Sequence, residues 1–357
     1  MMSHLVFSQK GRAGHILLNR PEALNALTIE MVTDLAAQLR LWAEDEAICH
    51  VIITSGEGRA FCAGGDVRQA VRVIAEEPDL GAKPYFQAEY GFDICLASFP
   101  KPVTCLVDGV VMGGGFGIAR LSDFLVVSSR IKMAMPETAI GLFPDVGASH
   151  FLRRAPFEVA LMLGMTGTII GAGDAIAWGL ADIHCQATEF EALFDALCLQ
   201  TNEADIQSCL SRYHSAPPDK ELALKSDMIT DIFSQQSPSL IMAKAQKYED
   251  DEFAQNWVKA FCQKCPTSIS VFWHMMTKLP ETRSVEEAIR RDFPLALKMT
   301  ARPDFTEGVR AVLVEKDNKP KWQPASLSDV TDDMLAYVFD FDGAPPLPED
   351  GFGPKNR

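Results

Sequence analysis

No stretch of this chain approaches the roughly 20 consecutive apolar residues that a membrane-spanning helix requires, so a membrane-embedded class is set aside. The opening residues MMSHLVFSQKGRAG lack both the apolar centre of a secretory signal and the Arg- and Ser-rich amphipathic pattern of a transit segment, and the expected location is cytoplasmic. Basic residues are scarce. With 33 Lys and Arg against 48 Asp and Glu, the formal net charge is −15, which repels nucleic acid and argues against any polyanion as the main partner. Seven histidines form no H-x-x-x-H pair, and nine cysteines, an odd number, show no disulfide-framework spacing. A reducing compartment and no bound metal are expected. The one C-x-x-C, Cys262 to Cys265, has no second pair and lies in a helical-looking region. Internal repeats and low-complexity arrays are missing too.

What is present is an ordinary globular composition, 47% hydrophobic and 23% charged over 357 residues, enough for one large domain with a smaller appendage. Residues 15–21 (HILLNRP) read as a strand stopped by Pro21, residues 28–45 as an amphipathic helix capped by Thr28 with Glu30 in its first turn, and residues 49–55 (CHVIITS) as a buried strand. That is the length of a parallel crossover. Helices are expected near 67–77 and 84–98, then a strand, a Gly-rich turn, a short helix and a further strand through residue 129. The class is therefore α/β. HSAPPDKE (214–221) reads as a linker separating a core over residues 1–213 from a helical region over 214–341, and the Pro-, Gly- and Asp-rich tail over 342–357 is expected to fray.

Two glycine loops each follow an apolar strand and open a helix. In MGGGFG (112–117) the backbone N–H groups would stand at a helix N-terminus, where partial positive charge gathers and glycine lets a ligand come close. Gly113, Gly115 and Gly117 give G-x-G-x-G, not the dinucleotide pattern G-x-G-x-x-G. FCAGGD (61–66) is the second loop, with Asp66 as the expected helix cap. Between them these loops could supply two donors to one oxygen, as acyl chemistry requires of an oxyanion hole.

The segment AMPETAIGLFPDVG (134–147) sets two carboxylates, Glu137 and Asp145, among apolar residues. Such groups need a partner or a chemical purpose. Pro136, Gly141 and Pro144 prevent one regular helix from carrying both, so a turn and its sequel are expected.

NRPEALNALT, GRAFCAGGD, DGVVMGGGFG and MPETAIGLFPDVG together resemble the crotonase, or enoyl-CoA hydratase/isomerase, superfamily. The form of the last motif, with PTS at 266–268 and DFTEGVRAVLVEKDNKPKW at 304–322, is similar to its 3-hydroxyisobutyryl-CoA hydrolase branch. The resemblance implies a spiral of β-β-α units followed by a helical C-terminal region, an acyl-CoA substrate whose CoA is no separate cofactor, and cores that commonly assemble, leaving a homo-oligomer open. It places the oxyanion-hole N–H groups at Gly65 and Gly114, the catalytic acids at Glu137 and Asp145, a third acidic position at Glu89, and Ala63, Gly64 and Asp66 along the CoA channel. Arg20, Arg59, Arg68 and Lys101 flank these loops and are candidates to meet the CoA phosphates.

Two departures stand out. Enoyl-CoA hydratases resemble this chain but carry a second catalytic Glu where Gly117 stands, which favours hydrolysis over water addition. Ala148, Ser149 and His150 replace a more glycine-rich run and put the shape of the acyl pocket in question. The rival readings are another crotonase activity, hydratase or isomerase, and a noncatalytic acyl-CoA-binding subunit.

Overall fold

The computed structural model describes residues 3–348 and 351–353. Strands β1 (Leu5–Lys10), β2 (Ala13–Leu18), β3 (His50–Ser55), β5 (Val103–Val107), β7 (Phe124–Val127) and β9 (Ile183–His184) form a six-stranded sheet in that order. Only β1 and β2 pair antiparallel; every later pair is parallel. The three-residue strands β4 (Ala60–Cys62), β6 (Val110–Met112) and β8 (Lys132–Ala134) build a second, parallel sheet. The chain thus gives one strand to each sheet in turn, β3 then β4, β5 then β6, β7 then β8, which is the β-β-α spiral.

Helix α1 (Ile29–Glu44) makes the crossover from β2 to β3, its Thr28 hydroxyl accepting from the Met31 N–H. Helices α2 (Val67–Glu76), α3 (Lys83–Ala97) and α4 (Gly114–Leu121) follow the second-sheet strands. Asp66 precedes α2 but its side chain does not cap it. The reason is competition: its carboxylate pairs with Arg20 and Arg68, each at 3.1 Å, and a guanidinium outbids a backbone N–H for a buried carboxylate.

Residues 214–220 have no regular structure, and the helices beyond them pack back onto the core. Ile229, Phe233, Phe272, Phe293 and Phe305 belong to the same apolar cluster as Ile53, Phe61 and Phe116. Of the tail, residues 349–350 and 354–357 lie outside the described residues. Phe352 is seated, its ring 5.7 Å from that of Phe99 and its N–H donating to Ser98 Oγ at 2.9 Å.

Candidate active site

The spiral brings both glycine loops to the same end of the second sheet. Gly113 sits at φ +54°, and a β-carbon there would lie 2.8 Å from Glu137 Oε1. Glycine is required for conformation and for space. A β-carbon on Gly64 would stand 3.2 Å from the Gly114 nitrogen, so the loops touch. Neither the Gly65 N–H nor the Gly114 N–H donates to a backbone or side-chain acceptor among the described residues. Gly114 opens α4, where a first-turn N–H has no intrahelical partner.

Both loops border a cavity of about 380 Å³. Glu137, Asp145, Gly65, Gly114, Glu89, Ala63, Gly64 and Asp66 all line it. Glu137 opens the 3-10 turn Glu137–Ile140, and Asp145 lies in the loop after it, as the prolines require. Arg59 and Arg68 reach the rim. Arg20 is held away by Asp66 and the Ala26 carbonyl, and Lys101 donates to the Trp42 and Asp45 carbonyls; neither borders the cavity. Ala148, Ser149 and His150 do not border it either. Ser149 Oγ accepts from Arg291 and His150 meets Thr282, so this departure from the branch faces the helical region instead of the acyl pocket.

Glu89, Glu137 and Asp145 are at most 6% exposed. Burial, then the nearby Asp145 charge, pushes Glu89 well above the usual carboxylate range. Glu137 is raised likewise by burial and Asp145, with Lys264 pulling it partway back; burial in turn lowers the Lys264 ammonium to about 8. Asp145 rises through burial only to about 6, because the Tyr90 hydroxyl donates to its Oδ2 at 2.6 Å. Asp145 therefore ionises first. Glu89 Oε1 would lie 2.7 Å and 2.9 Å from β-carbons placed on Gly65 and Gly114. Glu89 thus stands beside both glycines, and its burial disfavours the charged form there.

Gly117 has a structural reason. A β-carbon there would lie 2.8 Å from Val146 Cγ2, so the residue after Asp145 occupies the space a side chain at 117 would need. The turn responsible is strained: Val146 adopts φ +50° and Gly147 φ +81°, a left-handed pair that costs about 1–3 kcal/mol at a β-branched residue.

Sequence reasoning missed Phe86, Val312, Leu313 and Lys316 on the cavity wall. The last three come from the helical region, at and just beyond a π-helical turn, Arg310–Val314, within the C-terminal motif; π-turns recur where a site is being shaped. Tyr90, Lys264, Asp93 and Asp292, the polar groups behind the carboxylates, were also unrecognised.

The family model for enoyl-CoA hydratase/isomerase matches residues 13–339, and the chain belongs to that family. Within it the chain is 36% identical, over 94% of its own length and 88% of the relative's, to a protein of Xenopus laevis named 3-hydroxyisobutyryl-CoA hydrolase, mitochondrial. It is 34% identical, over 95% and 92%, to 3-hydroxyisobutyryl-CoA hydrolase 1 of Arabidopsis thaliana. A crystal structure of a carnitinyl-CoA dehydratase from Mycobacterium thermoresistibile superposes with TM-score 0.87 at 29% identity, covering 97% of this chain and 99% of that one.

Proposed function

We propose that this protein hydrolyses a short branched 3-hydroxyacyl-CoA, 3-hydroxyisobutyryl-CoA, to 3-hydroxyisobutyrate and free CoA, the activity its relatives' names carry, and that the step belongs to valine breakdown. The observation that carries the reading is the meeting of two unoccupied N–H donors, from separate loops, with a carboxyl pair of unequal acidity in one apolar-walled cavity. The thioester oxygen is received by Gly65 and Gly114, whose donors strengthen as negative charge develops on it. With Asp145 the readier to ionise and Glu137 the readier to keep its proton, the pair holds one proton and one charge between those two ionisations. Passing the proton from Glu137 to Asp145 leaves Glu137 ionised, either to attack the carbonyl carbon, expelling thiolate and forming an anhydride that water opens, or to deprotonate the attacking water. Asp145, now protonated, returns the proton to the thiolate. Ala63, Gly64 and Asp66 line the CoA path, with Arg59, Arg68 and Lys316 as phosphate contacts, and Glu89, neutral, faces the acyl group.

A hydratase reading needs a second acid where Gly117 stands, and Val146 fills that space. A panel of short acyl-CoAs followed with a thiol reagent tests the proposal. Thiol release fastest from 3-hydroxyisobutyryl-CoA is the expected result; hydration of crotonyl-CoA without thiol release would establish the hydratase alternative, and binding without turnover a carrier subunit. Nine free cysteines support a reducing compartment, for which we propose the cytoplasm. The frog relative's name makes the mitochondrion the rival, decided by cell fractionation.

A further inference from the structure

The loop that presents Asp145 is not held by the spiral core alone. After Asp145 the backbone turns left-handed at two successive residues, Val146 and Gly147. Three features of the helix Val285–Thr300 bear on that turn. Val285 Cγ2 and Ile289 Cγ1 would stand 2.6 Å and 3.3 Å from a β-carbon on Gly147, so the helix is packed directly against it. Asp292 Oδ2 accepts the Gly147 N–H at 2.9 Å, a bond that spans 145 residues of chain. Asp292 itself is completely buried, and its second oxygen, Oδ1, has no hydrogen-bond partner among the described residues.

A carboxyl is an expensive residue for a fully buried helix position that only needs to fill space. A leucine would pack there and bring no unmet polar atom. What the carboxyl supplies is the one acceptor for an N–H that the left-handed turn points away from its own chain. We propose that Asp292 is a positioning residue for Asp145: by holding Gly147, it fixes the turn that sets the Asp145 carboxylate against Tyr90 and toward the cavity. The helical region thereby acts on the chemistry through the backbone, without Asp292 touching substrate. This rests on the reading of Asp145 as a member of the reacting pair.

The neighbours of Asp292 define the variants. Asp93, Asp145, Tyr90 and Arg291 are the ionisable groups that interact with it, and burial, opposed by the Gly147 N–H, raises Asp292 to about 8. Neutral at pH 7, it is matched by asparagine, whose carbonyl accepts the same N–H. Leucine keeps the volume and removes the acceptor.

The test compares wild type, D292N, D292L and D145N in steady-state hydrolysis of 3-hydroxyisobutyryl-CoA at pH 7, with Tm measured on each. D292N is expected within about threefold of wild type in kcat, and D292L to lose on the order of 10–100-fold in kcat, the scale of a small misplacement of a reacting group, with KM unchanged and Tm equal or higher. A purely structural role would lower Tm and leave kcat per folded molecule alone. Wild-type kcat in folded D292L, or a loss in folded D292N as deep as that in D145N, would overturn the proposal; where D292L does not fold, D292A, which also removes the acceptor, takes its place with the same two outcomes. If D145N itself turns over normally, it is the functional reading that fails, and the two failures are told apart.

Discussion

Glu137 and Asp145 line one cavity, with Pro136 before the first and Gly141 and Pro144 between them keeping the segment to a 3-10 turn and a loop. Their unequal acidities make a pH prediction. The proposed mechanism needs one charge on the pair, so kcat/KM should rise as pH climbs through the Asp145 value, about 6, and fall again at higher pH as Glu137 loses its proton. In D145N the acid limb near 6 should vanish; a limb that persists there unchanged would assign it elsewhere. Glu89 makes a different prediction. Because burial disfavours its charged form beside Gly65 and Gly114, E89Q should keep kcat within about tenfold of wild type while E89A falls further, as expected of a lost hydrogen-bonding group in a buried site. The glycines and the two acids were readable from sequence because each lies in a short motif whose local order dictates its conformation. Tyr90, Asp93, Lys264 and Asp292 were not, because each sits on a helix or at its entrance and reaches the site only through packing between distant segments. Asp66 stands at the N-cap position as expected but makes no side-chain capping bond, because Arg20, forty-six positions earlier and invisible to local pattern, takes its carboxylate.

Among the elements, the α1 crossover and the strands of the large sheet follow from periodicity and Thr28 capping. The small sheet escapes such reading, since three-residue strands show no usable alternation. It is nonetheless the small sheet that matters most for the site, as β4 and β6 deliver the two glycine loops. Helix α4 and the turn after Asp145 then exclude each other's side chains at Gly117 and Val146. G117E should therefore destabilise the fold by about 1–3 kcal/mol through overpacking and confer no hydration of crotonyl-CoA, measured by thermal denaturation and by loss of the enoyl absorbance. A stable G117E with hydratase activity would show that the space is available after all.

For the whole molecule, the helical C-terminal region is part of the core and not an appendage, with Phe233, Phe272, Phe293 and Phe305 fully buried in the common cluster. It also completes the cavity wall through Val312 and Leu313. Thermal unfolding is expected to be a single transition, seen at the same temperature by far-ultraviolet dichroism and by tryptophan fluorescence; two transitions would separate the regions. The buried acids set the pH dependence. A carboxyl whose proton affinity is raised by folding contributes stability below its unfolded value of about 4, and that contribution is lost as pH rises through its folded value. E89Q, permanently neutral, should match wild type in Tm near pH 4 and exceed it by a few degrees at pH 8. Equal Tm values across that range would mean Glu89 is not held neutral by burial.

The division of labour in the carboxyl pair is tested most directly by single-turnover thiol release from 3-hydroxyisobutyryl-CoA in wild type and E137Q. The isosteric amide leaves the glycine loops and the cavity in place and removes only the group that attacks or deprotonates. E137Q should bind substrate with wild-type affinity and release thiol about 10²–10⁴-fold more slowly; release at the wild-type rate would contradict the role given to Glu137 and the hydrolytic mechanism with it.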